Sequence, residues 1–214
     1  DGETDTTFDD FRGIDRDQVL LQFMQLTCVC ALAIPSESVL ARRSADETIA
    51  ASTRHTFWRD EEAGRPFEGL LELFDRAEVI VGYNVFGFDF PLLWRHYPRG
   101  NRLARDVRHR AKTGDVFGRA RDSCVAWPKL DALLRENALQ AKSGDGRQAV
   151  DLWREGKRAQ LEAYCAMDVE LTGRLALLDD VSVMRIPLSG AVFGLRSAIR
   201  AAREHASEPG ETAA

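Results

Sequence analysis

No stretch of this sequence is apolar for long enough to cross a bilayer. The longest runs, such as Cys28–Pro35, fall far short of the roughly 20 residues a spanning helix needs. Cysteine is scarce: Cys28, Cys30, Cys124 and Cys165 are the four in 214 residues, and no two form a C-x-x-C pair. Histidine also numbers four, so the sequence argues against a Cys/His zinc site. Cys28 and Cys30 stand two apart in a strand-like run, which turns both to one face. Small buried thiols in a reducing, intracellular setting are expected there. Internal repeats and low-complexity tracts are missing. The sequence opens at Asp1 without a methionine and without a preceding strand, so the lack of a leader excludes nothing.

What is present is an ordinary globular balance, 44% hydrophobic and 29% charged. This predicts one domain over 1–203 and a disordered tail over 204–214. The net charge of -5 argues against a protein that coats nucleic acid. The charge is uneven, however. Arg95 to Arg121 holds nine Lys/Arg against two acidic residues, a local +7 on a body of -12. Such a segment suits a phosphate contact in one place. It suits equally an exposed arginine-rich insertion over 98–122, irregular or weakly helical, with no partner.

Alternation of Met24, Leu26, Cys28, Cys30, Leu32 and Ile34 predicts a strand with one buried side. Thr53–Trp58, β-branched and aromatic, predicts a second, with a polar loop between them. Residues 4–19 read as a loop. Phe67, Leu70, Leu71 and Phe74 follow helix spacing. Val79–Val81 reads as a buried strand ending at Gly82, and Asp89 precedes a helix containing Phe90, Leu93, Trp94 and Tyr97. Cys124–Trp127 suggests another short strand, Leu130–Leu134 starts a helix, and Gly144–Gly146 marks a loop. Lys157–Leu178 is a long helix and Ala191–Arg203 the last. The expected class is α/β with a mixed sheet flanked by helices.

The long helix carries the sharpest local signal. Leu161, Cys165, Asp168, Thr172 and Leu175 fall on one stripe, with Asp168 in its middle. A carboxylate in an apolar stripe is costly without compensation, and Tyr164, one turn earlier, reaches the same space. A structural ion pair would also account for Asp168. Asp89 follows the end of a buried strand, where α/β folds place ligands, yet helix capping alone would also explain it. Asp1 and Glu3, at i and i+2 on an extended chain, point to one side. Carboxylates gathered from separate segments, with little histidine or cysteine, describe a hard-cation oxygen site for Mg2+ or Mn2+. Two such ions about 4 Å apart can clamp a phosphodiester.

Three motifs, Asp1-Gly2-Glu3, Asn84-Val85-Phe86-Gly87-Phe88-Asp89 and Tyr164-Cys165-Ala166-Met167-Asp168, resemble in order and spacing those of DEDD-type 3'–5' exonucleases of the tyrosine subgroup. GYNVFGFDFPLL and YCAMDVELTGRL are similar to the proofreading domain of family B DNA polymerases and its stand-alone relatives. Ala163 stands where the histidine subgroup has histidine. The resemblance spans roughly Asp1 to Leu178 and implies a ribonuclease-H-like fold whose first core strand is truncated here. It implies that Asp1, Glu3 and Asp168 bind the catalytic ion, that Asp1 bridges to a second ion and that Asp89 holds that ion. Tyr164 would orient the attacking water, and Thr4, Asn84 and Phe88 would contact the terminal nucleotide. The implied activity is trimming of single-stranded nucleic acid from its 3' end, DNA in preference to RNA, with two Mg2+ or Mn2+ ions. The alternatives are an inactive nuclease-fold module that only binds nucleic acid, and a proofreading fragment of a longer polymerase. No membrane association is expected.

Overall fold

The computed structural model describes residues 2–5, 24–59, 67–95, 99–122, 129–140, 146–178, 180–183, 186–189 and 195–207. Among these the chain is mixed α/β, with three small sheets and flanking helices.

The first sheet is antiparallel, in the order β1 (Gly2–Thr4), β2 (Leu26–Ala33), β3 (Thr53–Trp58). Both faces of β2 are covered, not one as its alternation suggested. Cys28 and Cys30 pack with Trp58, Leu161, Tyr164 and Cys165. Val29, together with Met24 and Leu26, packs on the other face with Leu70, Leu71, Phe90 and Leu93. A register shift between Glu3 and Thr4 accompanies this break in the alternation.

The expected polar loop between β2 and β3 instead holds two short helices, α1 (Ser36–Leu40) and α2 (Ala45–Ala50). A capping box explains α2: the Ser44 hydroxyl accepts from the Glu47 N–H, and the Glu47 carboxylate accepts from the Ser44 N–H. Next come α3 (Glu68–Arg76), β4 (Ile80–Gly82) and α4 (Asp89–Trp94), as their apolar spacing predicted.

The basic segment is regular and largely helical. It forms α5 (Arg99–Ala111), β5 (Thr113–Asp115) and α6 (Val116–Asp122). β5 pairs in parallel with β4, while Val116 and Ala120 are fully buried against Leu134 and Leu175. The long arginine side chains had masked this apolar minority. Parallel and antiparallel pairing therefore lie in separate sheets among the described residues, where one mixed sheet was expected.

The remaining helices are α7 (Leu130–Glu136), α8 (Gly146–Arg154), α9 (Arg158–Leu177) and α10 (Leu195–Ser207), with a hairpin of β6 (Asp180–Val183) and β7 (Ile186–Ser189) before the last. The sequence reading missed α8 and the hairpin, and α10 runs on through residues assigned to a disordered tail. α9 packs against both β2 and β4 and so ties the two core sheets together. Cys124–Trp127, Tyr97 and most of the loop over 4–19 lie outside the described residues. Among the described residues, no helix is long and apolar enough to cross a membrane.

Candidate active site

The stripe read on α9 is buried as expected: Leu161, Cys165, Asp168, Thr172 and Leu175 all face inward, and Asp168 is only 1% exposed. Tyr164, one turn before Asp168, is buried in the cluster that contains Cys28 and Cys30. Glu3 stands opposite Cys28 across the β1–β2 pair and is itself buried. Paired residues on antiparallel strands share a face, so β1 turns Glu3 toward α9. Its charge is felt there. Hydrogen bonding to Cys28, burial and the negative Glu3 push the Cys165 thiol well above its ordinary value. A hydrogen bond with Cys165, together with burial, does the same for Cys30. These thiols stay protonated and act as apolar core groups.

Asp89 reaches β1 from the other side. Its Oδ1 accepts from the Gly2 N–H at 2.8 Å. A Cβ at Gly2 would lie 2.7 Å from Leu26 Cδ2 and 3.1 Å from Asp89 Oδ1, so the close approach of strand and carboxylate requires glycine there. Burial pushes the Asp89 carboxyl above its ordinary 3.8, against the pull of the Gly2 N–H.

The loop before Asp89 is held by a residue absent from the predicted site. Asp115, buried at the end of β5, accepts from Asn84 N–H at 2.7 Å and Phe86 N–H at 3.2 Å. It also accepts from Phe117 N–H at 3.0 Å and Gly118 N–H at 3.4 Å, as the cap of α6. Its signal was legible as a Gly-Asp pair before an apolar Val-Phe, but the surrounding arginines obscured it. Asn84 sits in the left-handed region at φ 59°, which asparagine tolerates better than most residues. At Gly82, the last residue of β4, a Cβ would collide with the Val85 side chain, so glycine is needed there.

Phe88 is half-buried against the cluster of Phe90 and Leu93. The exposed ring of this loop is Phe86, 37% accessible, with the Arg110 guanidinium 5.4 Å from its centroid. Thr4 is buried at the end of β1, opposite Leu26. Asp1 lies outside the described residues.

The fold thus turns Glu3 and Tyr164 toward the Cys28–Cys165 contact, buries Asp168 one turn further along α9, and ties Asp89 to β1 at Gly2. The donors are carboxylates, the right chemistry for a hard cation. The ligand set is not complete among the described residues, where no three His, Cys, Asp or Glu side chains lie together as a metal group.

No protein family, curated protein or solved structure matches the chain.

Proposed function

We propose that the chain is a metal-dependent 3'–5' exonuclease of ribonuclease-H-like fold that trims single-stranded nucleic acid, with DNA the favoured substrate. The observation that carries this reading is convergence on β1. Asp89, 87 residues away in sequence, bonds the Gly2 amide, and α9 packs Tyr164 with Cys28, the residue opposite Glu3, and buries Asp168 one turn further on. Two sequence-distant segments approach the three-residue strand that carries the first motif, and each carries one of the other two.

In this reading Asp1, Glu3, Asp89 and Asp168 hold Mg2+ or Mn2+, whose chemistry when bound is to neutralise phosphate charge and lower the pKa of water. The chain's own contribution is positional. Tyr164 presents its hydroxyl to orient the attacking water, and the loop that Asp115 holds at Asn84 and Phe86 leads into Asp89 beside the strand.

The test is trimming of a 3'-labelled single strand, as DNA and as RNA, with Mg2+, Mn2+ or chelator. Asp89→Ala and Asp168→Ala are each expected to reduce trimming to the chelated level. Tyr164→Phe is expected to lower turnover about ten- to a hundredfold, as loss of an orienting group does. Full activity in either aspartate variant, or in chelator, refutes the assignment. Metal-dependent binding of the strand without cleavage would favour the inactive module.

A further inference from the structure

Outside the three motifs, an aromatic and cationic cluster stands on the same sheet face as Glu3. Glu3, Cys28 and Trp58 oppose one another in a single row across β1, β2 and β3, and directly paired residues share a face. Two strand spacings of about 4.8 Å put the Trp58 backbone roughly 10 Å from that of Glu3. Trp153 of α8 stacks on Trp58, with ring centroids 6.4 Å apart and planes 20° from parallel. α8 itself packs against β1 and α9, the elements that carry the first and third motifs.

Two guanidiniums meet this stack. Arg158, the first residue of α9, lies 4.9 Å from the Trp58 ring centroid and 5.7 Å from that of Trp153. Arg59, just after β3, lies 5.6 Å from the Trp153 centroid. Trp58 is buried, Trp153 and Arg59 are half-buried, and Arg158 is exposed. Arg59 also donates to Gln25 Oε1 at 2.6 Å and stands 3.5 Å from Asp5 Oδ2. Its neighbours thus fix it and partly neutralise it, which leaves Arg158 as the more exposed cation.

A half-exposed indole between guanidiniums fits one kind of polymer. Its π-face stacks on a base of any sequence, and cations beside it meet the adjoining phosphates. An acidic peptide would answer the charges but bring no flat partner for the indole. We propose that Trp153, Arg158 and Arg59 form a base-stacking subsite for single-stranded nucleic acid. Trp153 stacks an unpaired base, Arg158 contacts its phosphate, and Trp58 is the buried floor that holds the Trp153 ring. The subsite's use rests on the nuclease reading: the strand held here is the one whose 3' end reaches Glu3. Stacking reads no base edge, so the subsite grips single strands of any sequence and disfavours duplex, whose bases are already stacked.

Binding is measured in chelator, where no strand is cut, by fluorescence anisotropy of a 5'-labelled oligothymidylate and of an all-abasic strand of the same length. Trp153→Leu is expected to weaken oligothymidylate binding about tenfold, and Trp153→Phe, which keeps a stacking face, to restore most of it. On the abasic strand Trp153→Leu is expected to bind as the unaltered chain does. Arg158→Gln is expected to lower the salt slope by about one on both strands. Should Trp153→Leu fold poorly, Trp153→Phe and the two strands on the unaltered chain read the same contact. Equal affinity of the unaltered chain for both strands, or equal loss on both in Trp153→Leu, overturns the proposal and leaves the stack a contact of the fold. Base-dependent binding through Trp153 without metal-dependent trimming keeps the subsite and refutes the nuclease. Trimming with unchanged strand affinity in Trp153→Leu and Arg158→Gln keeps the nuclease and refutes the subsite.

Discussion

Asp115 accepts backbone N–H groups from two segments, the loop at Asn84 and Phe86 and the start of α6 at Phe117 and Gly118. Removing the carboxylate strands buried donors at both places. Asp115→Ala is expected to cost about 3 kcal/mol in urea unfolding, and Asp115→Asn roughly half that, because one oxygen acceptor survives. If the loop is what sets Asp89, both variants also lower trimming activity while Asp168 is untouched. The same scale explains why the glycines of this region are not interchangeable. Gly2 admits Asp89 to the strand, and Gly82 leaves room for Val85. Neither demand is visible in the local sequence, since the colliding atoms come from elsewhere in the fold or from across a turn.

Helix α5 is anchored by one buried histidine. His109 is fully buried between Phe74 and Trp94, and its Nε2–H donates to Asp75 Oδ1 at 2.8 Å. Burial holds its pKa below the ordinary 6.5 even though Asp75 pulls the other way. Its Nδ1 has no hydrogen-bond partner, so an imidazolium there would carry an unmet donor. The unfolded chain takes up a proton near 6.5 that the folded chain resists. Stability from this site is therefore complete above that value and falls as pH drops through it. Asp75 works in the same direction at lower pH. Burial opposes its charge, but hydrogen bonds from Arg105 and His109 hold its carboxyl below 3.8. His109→Gln, with no titrating ring, is expected to flatten the decline of stability between about pH 7 and pH 5, read by denaturant titration across that range. In α9, Gly173 has only ordinary contacts awaiting a Cβ, the nearest being Ile49 Cδ1 at 3.5 Å. Gly173→Ala is expected to stabilise the protein by about 0.5–1 kcal/mol through helix propensity, measured by thermal unfolding.

Across the whole molecule, the uneven charge resolves into two kinds of arginine. Arg105 bridges Glu68 and Asp75 at 2.7 Å each, and Arg110 pairs with Asp106 while covering Phe86 and Phe90. These are committed to the fold. Arg108 is 65% exposed and only 3.8 Å from its nearest carboxylate oxygen. Arg108→Ala is expected to weaken single-strand binding and to flatten its salt dependence, whereas Arg105→Ala lowers Tm first. An unchanged salt slope in Arg108→Ala shows that this face does not meet phosphates. The sequence by itself determined the α/β class, the strands β2 and β3, helices α3 and α9, and the inward face of α9 with Asp168 at its centre. Those features follow from periodicity, which repeats within a few residues and needs no partner to be read. The role of Asp115, the core position of the basic segment and the bond from Gly2 to Asp89 were decided only by tertiary structure. Each depends on contacts between residues tens of positions apart, and local patterning carries no trace of which distant group will arrive.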